Sequence, residues 1–267
     1  MLSHVLFIVV FLTMFTFSSF YANEDAAGGK YPKNCKEVQD QGNNVSDFYL
    51  IQPGTSPEPF VALCDMKTRG GGWAYILNRY DGSQDFYMGW DSYKEGFGHI
   101  GGEFWLGLEN IHQLTGYEIN ELLIEIVDWD DVQKFALYNA FSVGHEKSGY
   151  ALKLVAGYMG DAWDCMVREA GMKFTTDDKD QDQNKDGNCA LSSNSGWWFR
   201  NCKWAHLTGK YFPSSDAGSE YAKSMHWREW HGERYSLKQA RMMVRPRREG
   251  HARLFPSSKF LNADEEV

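Results

Sequence analysis

Between Phe174 and Tyr211 the chain sets a run of aspartates against a run of rings. Asp177, Asp178, Asp180, Asp182 and Asp186 come first, followed by Cys189, Trp197, Trp198, Phe199, Cys202 and Trp204. Carboxylates this close repel one another unless water or a cation separates them. The acidic half therefore cannot pack as core. Oxygen ligands at alternate positions suit calcium, a hard cation. If Cys189 pairs with Cys202, the aromatic half is stapled beside the acidic half. A metal loop fused to a rigid aromatic wall has the character of a binding site.

With 267 residues, 43% of them hydrophobic, the chain can build one large domain or two small ones. A formal charge of −9 argues against nucleic acid as a partner. Val5 to Phe17 is an apolar run broken only by Thr13 and Thr16, too short to span a bilayer comfortably. Small residues and acids follow it. This reads as a secretory signal over residues 1–22, cut between Ser18 and Ala27, with a signal anchor or a core helix as the alternatives. The expected location is extracellular, with no membrane insertion after cleavage. Secretion puts Cys35, Cys64, Cys165, Cys189 and Cys202 in an oxidising compartment. Their number is odd, so one stays free or pairs outside the chain. Asn44-Val45-Ser46 is a glycosylation sequon at Asn44.

Residues 23–34 read as a short linker, 35–248 as the domain and 249–267 as a flexible tail. No heptad pattern marks an oligomerising stalk. Phe60 to Cys64 and Gly72 to Leu77 read as strands around a turn at Asp65 to Gly71. Phe104 to Leu108 leads into a short helix over Glu109 to Leu114. Glu121 to Val127 is the clearest strand, with further strands at Lys134 to Phe141 and Leu152 to Val155. From Gly157 to Met225 regular structure is sparse, and long irregular stretches in compact domains usually hold function.

Several strings then fall in line. They are Asn34-Cys35-Lys36-Glu37, Val61-Ala62-Leu63-Cys64-Asp65-Met66, Gly70-Gly71-Gly72-Trp73 and Gly96-Phe97-Gly98. Gly102-Glu103-Phe104-Trp105-Leu106-Gly107, Asn188-Cys189-Ala190, Trp197-Trp198 and Tyr235-Ser236-Leu237-Lys238 follow. In that order and spacing the chain resembles the fibrinogen C-terminal-like domain of ficolins, tachylectin-type lectins and angiopoietin-type ligands. The resemblance implies an α+β fold: a central antiparallel sheet, short helices and a long irregular calcium- and ligand-binding subdomain. It implies disulfides Cys35–Cys64 and Cys189–Cys202. Cys165 has no family partner, and either stays buried and inert or joins two chains as a homodimer.

The family's calcium ligands, two aspartates and two backbone carbonyls, fall at Asp180, Asp182, Asn184 and Asp186 when counted forward from Phe174. Counting back from Cys189 shifts the register and leaves Asp178 in reserve. An EF-hand opening matches Asp182, Asn184, Asp186 and Gly187, but Ser193 stands where its closing glutamate belongs, so that reading is set aside. A solvated acidic loop without metal is the bland alternative.

In family lectins the peptide before the second loop cysteine is cis, here Asn201–Cys202, and its N–H groups grip an acetyl oxygen. Asn201, Cys202, Lys203 and Tyr221 are the implied ligand-binding residues. Trp227 matches the tryptophan after the wall tyrosine, and Trp197 and Trp198 match as scaffold. Lys203 stands where family lectins often carry His, and Ser193 and Glu233 where rings are common. A Lys–Glu rim favours a polar or charged ligand over a bare methyl; a mere surface pair of Lys203 with Glu233 is the alternative. Ala222 stands where clotting fibrinogens carry an acid, which argues against a clotting role.

No Gly-x-Ser-x-Gly elbow, His-Glu-x-x-His helix or P-loop occurs, and His206, His226 and His231 have no nucleophile motif beside them. The expected protein is not an enzyme. It is a secreted calcium-binding recognition module of lectin type, binding glycans or acetylated groups on microbial or cell surfaces in innate immune recognition. The rival is an angiopoietin-like ligand or adhesion factor that engages a cell-surface receptor through the same domain.

Overall fold

Nine of the described strands hydrogen-bond into one antiparallel sheet around a late-arriving centre, β11. The computed structural model describes residues 31–54 and 56–247. The expected signal (1–22) and tail (249–267), and most of the linker (23–34), lie outside the described residues. The chain runs α1 (Cys35–Asp40), β1 (Asp47–Ile51), β2 (Phe60–Asp65), β3 (Trp73–Arg79), α2 (Trp90–Glu95), β4 (Phe97–Gly98), β5 (Phe104–Trp105) and α3 (Leu108–Thr115). It continues through β6 (Asn120–Val127), β7 (Gln133–Val143), β8 (Leu152–Gly160), α4 (Cys189–Ser193), β9 (Ala205–His206), β10 (His226–Trp227), α5 (Arg228–His231) and β11 (Gln239–Pro246). The sheet order is β1-β2-β3-β11-β6-β7-β8, with β5 pairing β3 and β4 off that path; β9 and β10 form a separate ribbon. The α+β class expected from the sequence is the observed one.

β11 was not among the expected strands. Its two arginines break the apolar pattern, yet both are used inside the sheet. Arg241 and Arg245 stand opposite Glu125 and Glu121 of β6. Each pairs with the facing carboxylate, Arg245 through Nε at 2.7 Å. Arg245 also lies over the Trp73 ring, 4.0 Å from its centroid, and donates to the Arg69 and Gly71 carbonyls. Between the arginines, Met242, Met243 and Val244 are buried. β8 runs on to Gly160, past its expected end at Val155. α1 and α2 also went unread. Asn34 caps α1 by accepting from the Glu37 N–H at 3.0 Å, and the Cys35–Cys64 disulfide ties α1 to β2.

An aromatic cluster joins the sheet to the irregular region. Tyr93, Trp105, Phe174, Trp198 and Trp197 contact one another in series, with ring centroids 5.0 to 6.1 Å apart. All are buried, and the indole N–H groups of Trp105 and Trp198 donate to the Tyr93 and Tyr150 carbonyls. Gly196 is needed here: a Cβ would meet the Phe174 and Tyr93 rings at 2.7 Å. Among the described residues no helix is long and apolar enough to cross a membrane.

Glu103 closes the turn after β3. Its carboxylate accepts from the N–H groups of Tyr80, Asp81, Gly82 and Gln84. It also stands 3.7 Å from the buried Arg79 Nε, an ion pair without a hydrogen bond. Replacing it strands both a charge and a set of donors. Glu103→Ala is expected to lower the urea-unfolding free energy by about 3 to 5 kcal/mol, with Glu103→Gln costing less. A Glu103→Ala protein as stable as its parent would show that the turn and Arg79 are held by other groups.

Candidate ligand-binding face

The acidic loop is fixed at both ends before any ligand is considered. Phe174 sits in the aromatic cluster, and Thr175 bridges to Trp197. Asp178 turns away from the other aspartates. Its carboxylate accepts from the Trp90 N–H at 2.9 Å, at the start of α2, and from the Thr176 hydroxyl at 2.6 Å. A carboxylate is favourable there because the first N–H groups of a helix have no partner within it. Asp178 is thus engaged elsewhere. At the far end Asn188 caps α4 by accepting from the Leu191 N–H, and its amide donates to the Thr176 and Asp177 carbonyls. α4 is not among the expected elements, and at five residues it does not complete an EF-hand.

Between these anchors the backbone curls in steps of two residues. Asp180 accepts from the Asp182 N–H, Asp182 from the Asn184 N–H at 2.7 Å, and Asn184 from the Asp186 N–H. The second oxygen of Asp182 accepts from the Cys189 N–H at 2.8 Å. Burial, and then the neighbouring Asp180 charge, push the Asp182 carboxyl above its ordinary range, against the pull of those N–H groups. Two carboxylates therefore crowd one another in a loop where the Asn184 and Asp186 carbonyls accept no hydrogen bond among the described residues. Among the described residues no group of three or more His, Cys, Asp or Glu side chains is gathered for a metal. A cation at this loop would meet oxygen donors, the Asp180 and Asp182 carboxylates and backbone carbonyls, a chemistry that fits calcium rather than a transition metal.

The Cys189–Cys202 disulfide, with 5.6 Å between Cα atoms, brings the second segment alongside. The Gln183 N–H donates to the Arg200 carbonyl at 2.9 Å, which joins the two segments directly. The Asn201–Cys202 peptide is cis. Beside it opens a cavity of about 490 Å³ lined by Arg168, Glu169, Arg200, Asn201, Lys203 and Trp204, with Cys202 and Gln183. Asn201, Cys202 and Lys203 thus meet at one cavity. Tyr221 does not line it; its ring is covered by Arg234, 4.3 Å from the ring centroid.

Lys203 turns inward. Its ammonium donates to the Ser193 hydroxyl and to the Ala222 carbonyl, the latter at 2.7 Å. The two departures from the family pattern therefore answer one another, since the small Ser193 leaves the room that Lys203 fills. The surface pair with Glu233 does not form. Glu233 acts on Lys203 only at a distance, while burial pulls the ammonium down to about 8.

Trp197, Trp198 and Trp227 are scaffold, and the Trp227 indole N–H donates to the Ala162 carbonyl at 2.7 Å. His206 and His226 are buried rather than pocket lining. Both Nδ1 atoms lie 3.0 Å from the Ser224 carbonyl, which can only accept, so both rings carry their proton on Nδ1. The Ser195 hydroxyl then donates to His206 Nε2. Burial, with the Lys203 charge next, holds His206 well below its ordinary value and His226 at about 3. This Ser–His pair is at most 1% exposed and out of reach of a substrate.

Sequence reasoning missed Glu169. It follows the 3₁₀ turn at Met166–Arg168, it is 1% exposed, and its Oε1 accepts from the Trp204 and Ala205 N–H groups at 2.9 and 3.2 Å. Oε2 has no partner. Burial pushes the carboxyl up to about 7. Of the two states expected for Cys165 the fold has the buried one: it is free and fully buried, and accepts from the Glu229 N–H through Sγ. A thiol so placed cannot reach a second chain.

The fold and site now stand beside known proteins. The family model for the C-terminal globular domain of fibrinogen beta and gamma chains matches residues 31–247. The chain belongs to this family. The family is a recognition domain, not an enzyme family. Fibrinogen C domain-containing protein 1-B of Xenopus laevis is 40% identical over 228 residues, covering 84% of this chain and 49% of that protein. Angiopoietin-related protein 1 of Bos taurus is 39% identical over 214 residues, covering 80% of this chain and 43% of that protein. The chain thus spans about half the length of these relatives. Among solved structures, the fibrinogen-like globe domain of human ANGPTL2 superposes with a TM-score of 0.79 at 37% identity, covering 81% of this chain and all of that one.

Two outcomes follow from the buried groups. Native protein should leave Cys165, whose thiol burial pushes up to about 12, unlabelled by maleimide, and should run at monomer size on a non-reducing gel. A dimer band abolished by Cys165→Ser would contradict the structure. Glu169 favours the folded state most below about 4.5, where it is protonated in both states, and that stability is lost as pH rises to about 7. Between pH 5 and 7.5 the parent should lose on the order of 2 to 3 kcal/mol relative to Glu169→Gln. Parallel stability profiles would mean that Glu169 ionises freely in the fold.

Proposed function

We propose that the protein is a secreted, calcium-binding recognition module of lectin type. It takes glycans or acetylated groups on microbial or cell surfaces, in innate immune recognition, and carries out no catalysis. The observation that supports this best is the joining of the acidic loop to the cavity wall by the Gln183–Arg200 hydrogen bond and the Cys189–Cys202 bridge. Calcium held by Asp180, Asp182 and the carbonyls of Asn184 and Asp186 would supply the positive charge that the two carboxylates need. It would act on the ligand indirectly, by fixing the loop that backs Arg200, Asn201 and Lys203. Asn44 lies exposed between α1 and β1, a place open to glycosylation.

One observation favours a second reading. The Lys203 ammonium fills the room beside Ser193 that a ligand's methyl group would otherwise take. A receptor ligand of angiopoietin type has no need of an open sugar pocket, and the likeness to the ANGPTL2 globe agrees with that.

A glycan array with and without calcium separates the readings. The first predicts glycan binding that excess EDTA weakens at least tenfold, and that Asp180→Ala with Asp182→Ala weakens equally. Binding that survives chelation would break the link between loop and cavity. Binding to no glycan, beside nanomolar binding to a cell-surface protein, would select the second.

A further inference from the structure

A second cavity, of about 470 Å³, shares no lining residue with the first. Its walls carry Gln84, Asp85, Tyr87, Asn194, Lys210 and Tyr211. Asp85, Tyr87 and Lys210 are exposed and the other three half-buried, so a ligand can reach all six. One wall is held rigid: the Glu103 carboxylate clasps the turn from Tyr80 to Gln84, and Gly82 packs so closely on Tyr211 that a Cβ would meet the ring at 2.7 Å. Asp85 Oδ1 accepts from the Tyr87 N–H at 2.9 Å and leaves Oδ2 unclaimed. Gln84 Nε2 donates to the Asp85 carbonyl at 2.7 Å and leaves Oε1 unclaimed. Asn194 ends α4 in the left-handed region, and its side-chain amide has no hydrogen-bond partner among the described residues. The rim charges are already answered. Lys210 pairs with Glu220 at 2.9 Å, and Asp85 stands near the buried Arg79, whose charge it favours. A charged ligand would therefore meet no unmatched counter-charge. What the cavity offers is carbonyl and carboxylate acceptors, amide and ammonium donors, and two phenol rings. Hydroxyl groups donate and accept at once, and a sugar ring sets several of them round an apolar C–H face.

We propose that this second cavity binds a neutral hexose, one that carries neither an acetyl nor an acidic group. Neighbouring hydroxyls donate to Asp85 Oδ2 and Gln84 Oε1 and accept from the Asn194 amide and the Lys210 ammonium. The C–H face of the sugar lies against a tyrosine ring. The proposal rests on the lectin reading, and adds a second place and its ligand class. No bond is made or broken. Binding here does not depend on the room that Lys203 fills beside Ser193. The acidic loop still bears on it. Asn194 stands at the end of α4, and the first residue of that helix, Cys189, donates its N–H to Asp182. Calcium held by the loop would steady this wall as well.

The test titrates the full-length, calcium-saturated protein by NMR with methyl β-D-glucoside, methyl β-D-galactoside and methyl α-D-mannoside, at low and high salt. N-acetylglucosamine runs as a separate arm, and L-tyrosine, a zwitterion with a ring, as the rival class. At least one hexoside should bind saturably, with a Kd that salt leaves unchanged. Asp85→Ala should weaken it about tenfold, the loss of a hydrogen bond to a charged group. Ser83→Trp, at an exposed place on the same wall, should fill the cavity and abolish binding. Melting temperatures report whether each variant folds, and the exposed Ser83 site keeps the test alive if Asp85→Ala does not. No hexoside binding, binding of tyrosine in its place, or hexoside binding that Ser83→Trp leaves intact would each overturn the proposal. If N-acetylglucosamine or array binding persists meanwhile, this inference falls alone; if every glycan fails, the lectin reading falls with it.

Discussion

Mutual repulsion between Asp180 and Asp182 is the constraint around which this end of the molecule is arranged. Among the described residues neither carboxylate pairs with a cation that would relieve it. The fold nonetheless holds them together, because the segments on either side are committed elsewhere. Phe174 is locked among the rings of Tyr93, Trp105 and Trp198. Asp178 is fixed at the start of α2. Asn188 and Cys189 are fixed by the cap of α4 and by the disulfide. A loop pinned in this way cannot swing its carboxylates apart into water at little cost. A divalent ion would be the simplest relief, since the Asp180 and Asp182 carboxylates and backbone carbonyls would offer it oxygen donors.

The neighbouring face is shaped by charge as well. Family resemblance points to a small apolar pocket, but this chain fills that room with Lys203 and answers the ammonium with Ser193 and a carbonyl. Beyond it lies a polar cavity whose lining includes Arg168, Glu169 and Arg200. Under the proposed function, ligand selection would rest on charge and hydrogen bonding rather than methyl burial, and a desolvated charged group discriminates more sharply than a methylene does. The buried Ser195–His206 pair resembles catalytic machinery only on paper, since no substrate can reach it.

Much of this was legible in the residues. Glu121 to Val127 announced a strand through Leu122, Leu123, Ile124, Ile126 and Val127, and all of it but Val127 is buried. The order of the cysteine, glycine and tryptophan strings carried the fold. β11 was hidden because Arg241 and Arg245 look like surface residues until Glu125 and Glu121 are seen opposite them, a pairing across more than a hundred residues. Glu169 was hidden for a similar reason: its burial is created by Trp204 and Ala205, far along the chain. The inward turn of Lys203 depends on room left by a serine ten positions earlier. Local pattern reports periodicity and turn chemistry; it does not report which distant group will neutralise or desolvate a charge.

Calorimetric titration of the metal-stripped protein with millimolar Ca²⁺, paired with a thermal melt, addresses the central claim most directly. The account predicts a heat of binding for one ion per chain and a rise in melting temperature, both lost when Asp180 and Asp182 are replaced by alanine. No heat and an unchanged melting temperature in the parent protein would contradict it.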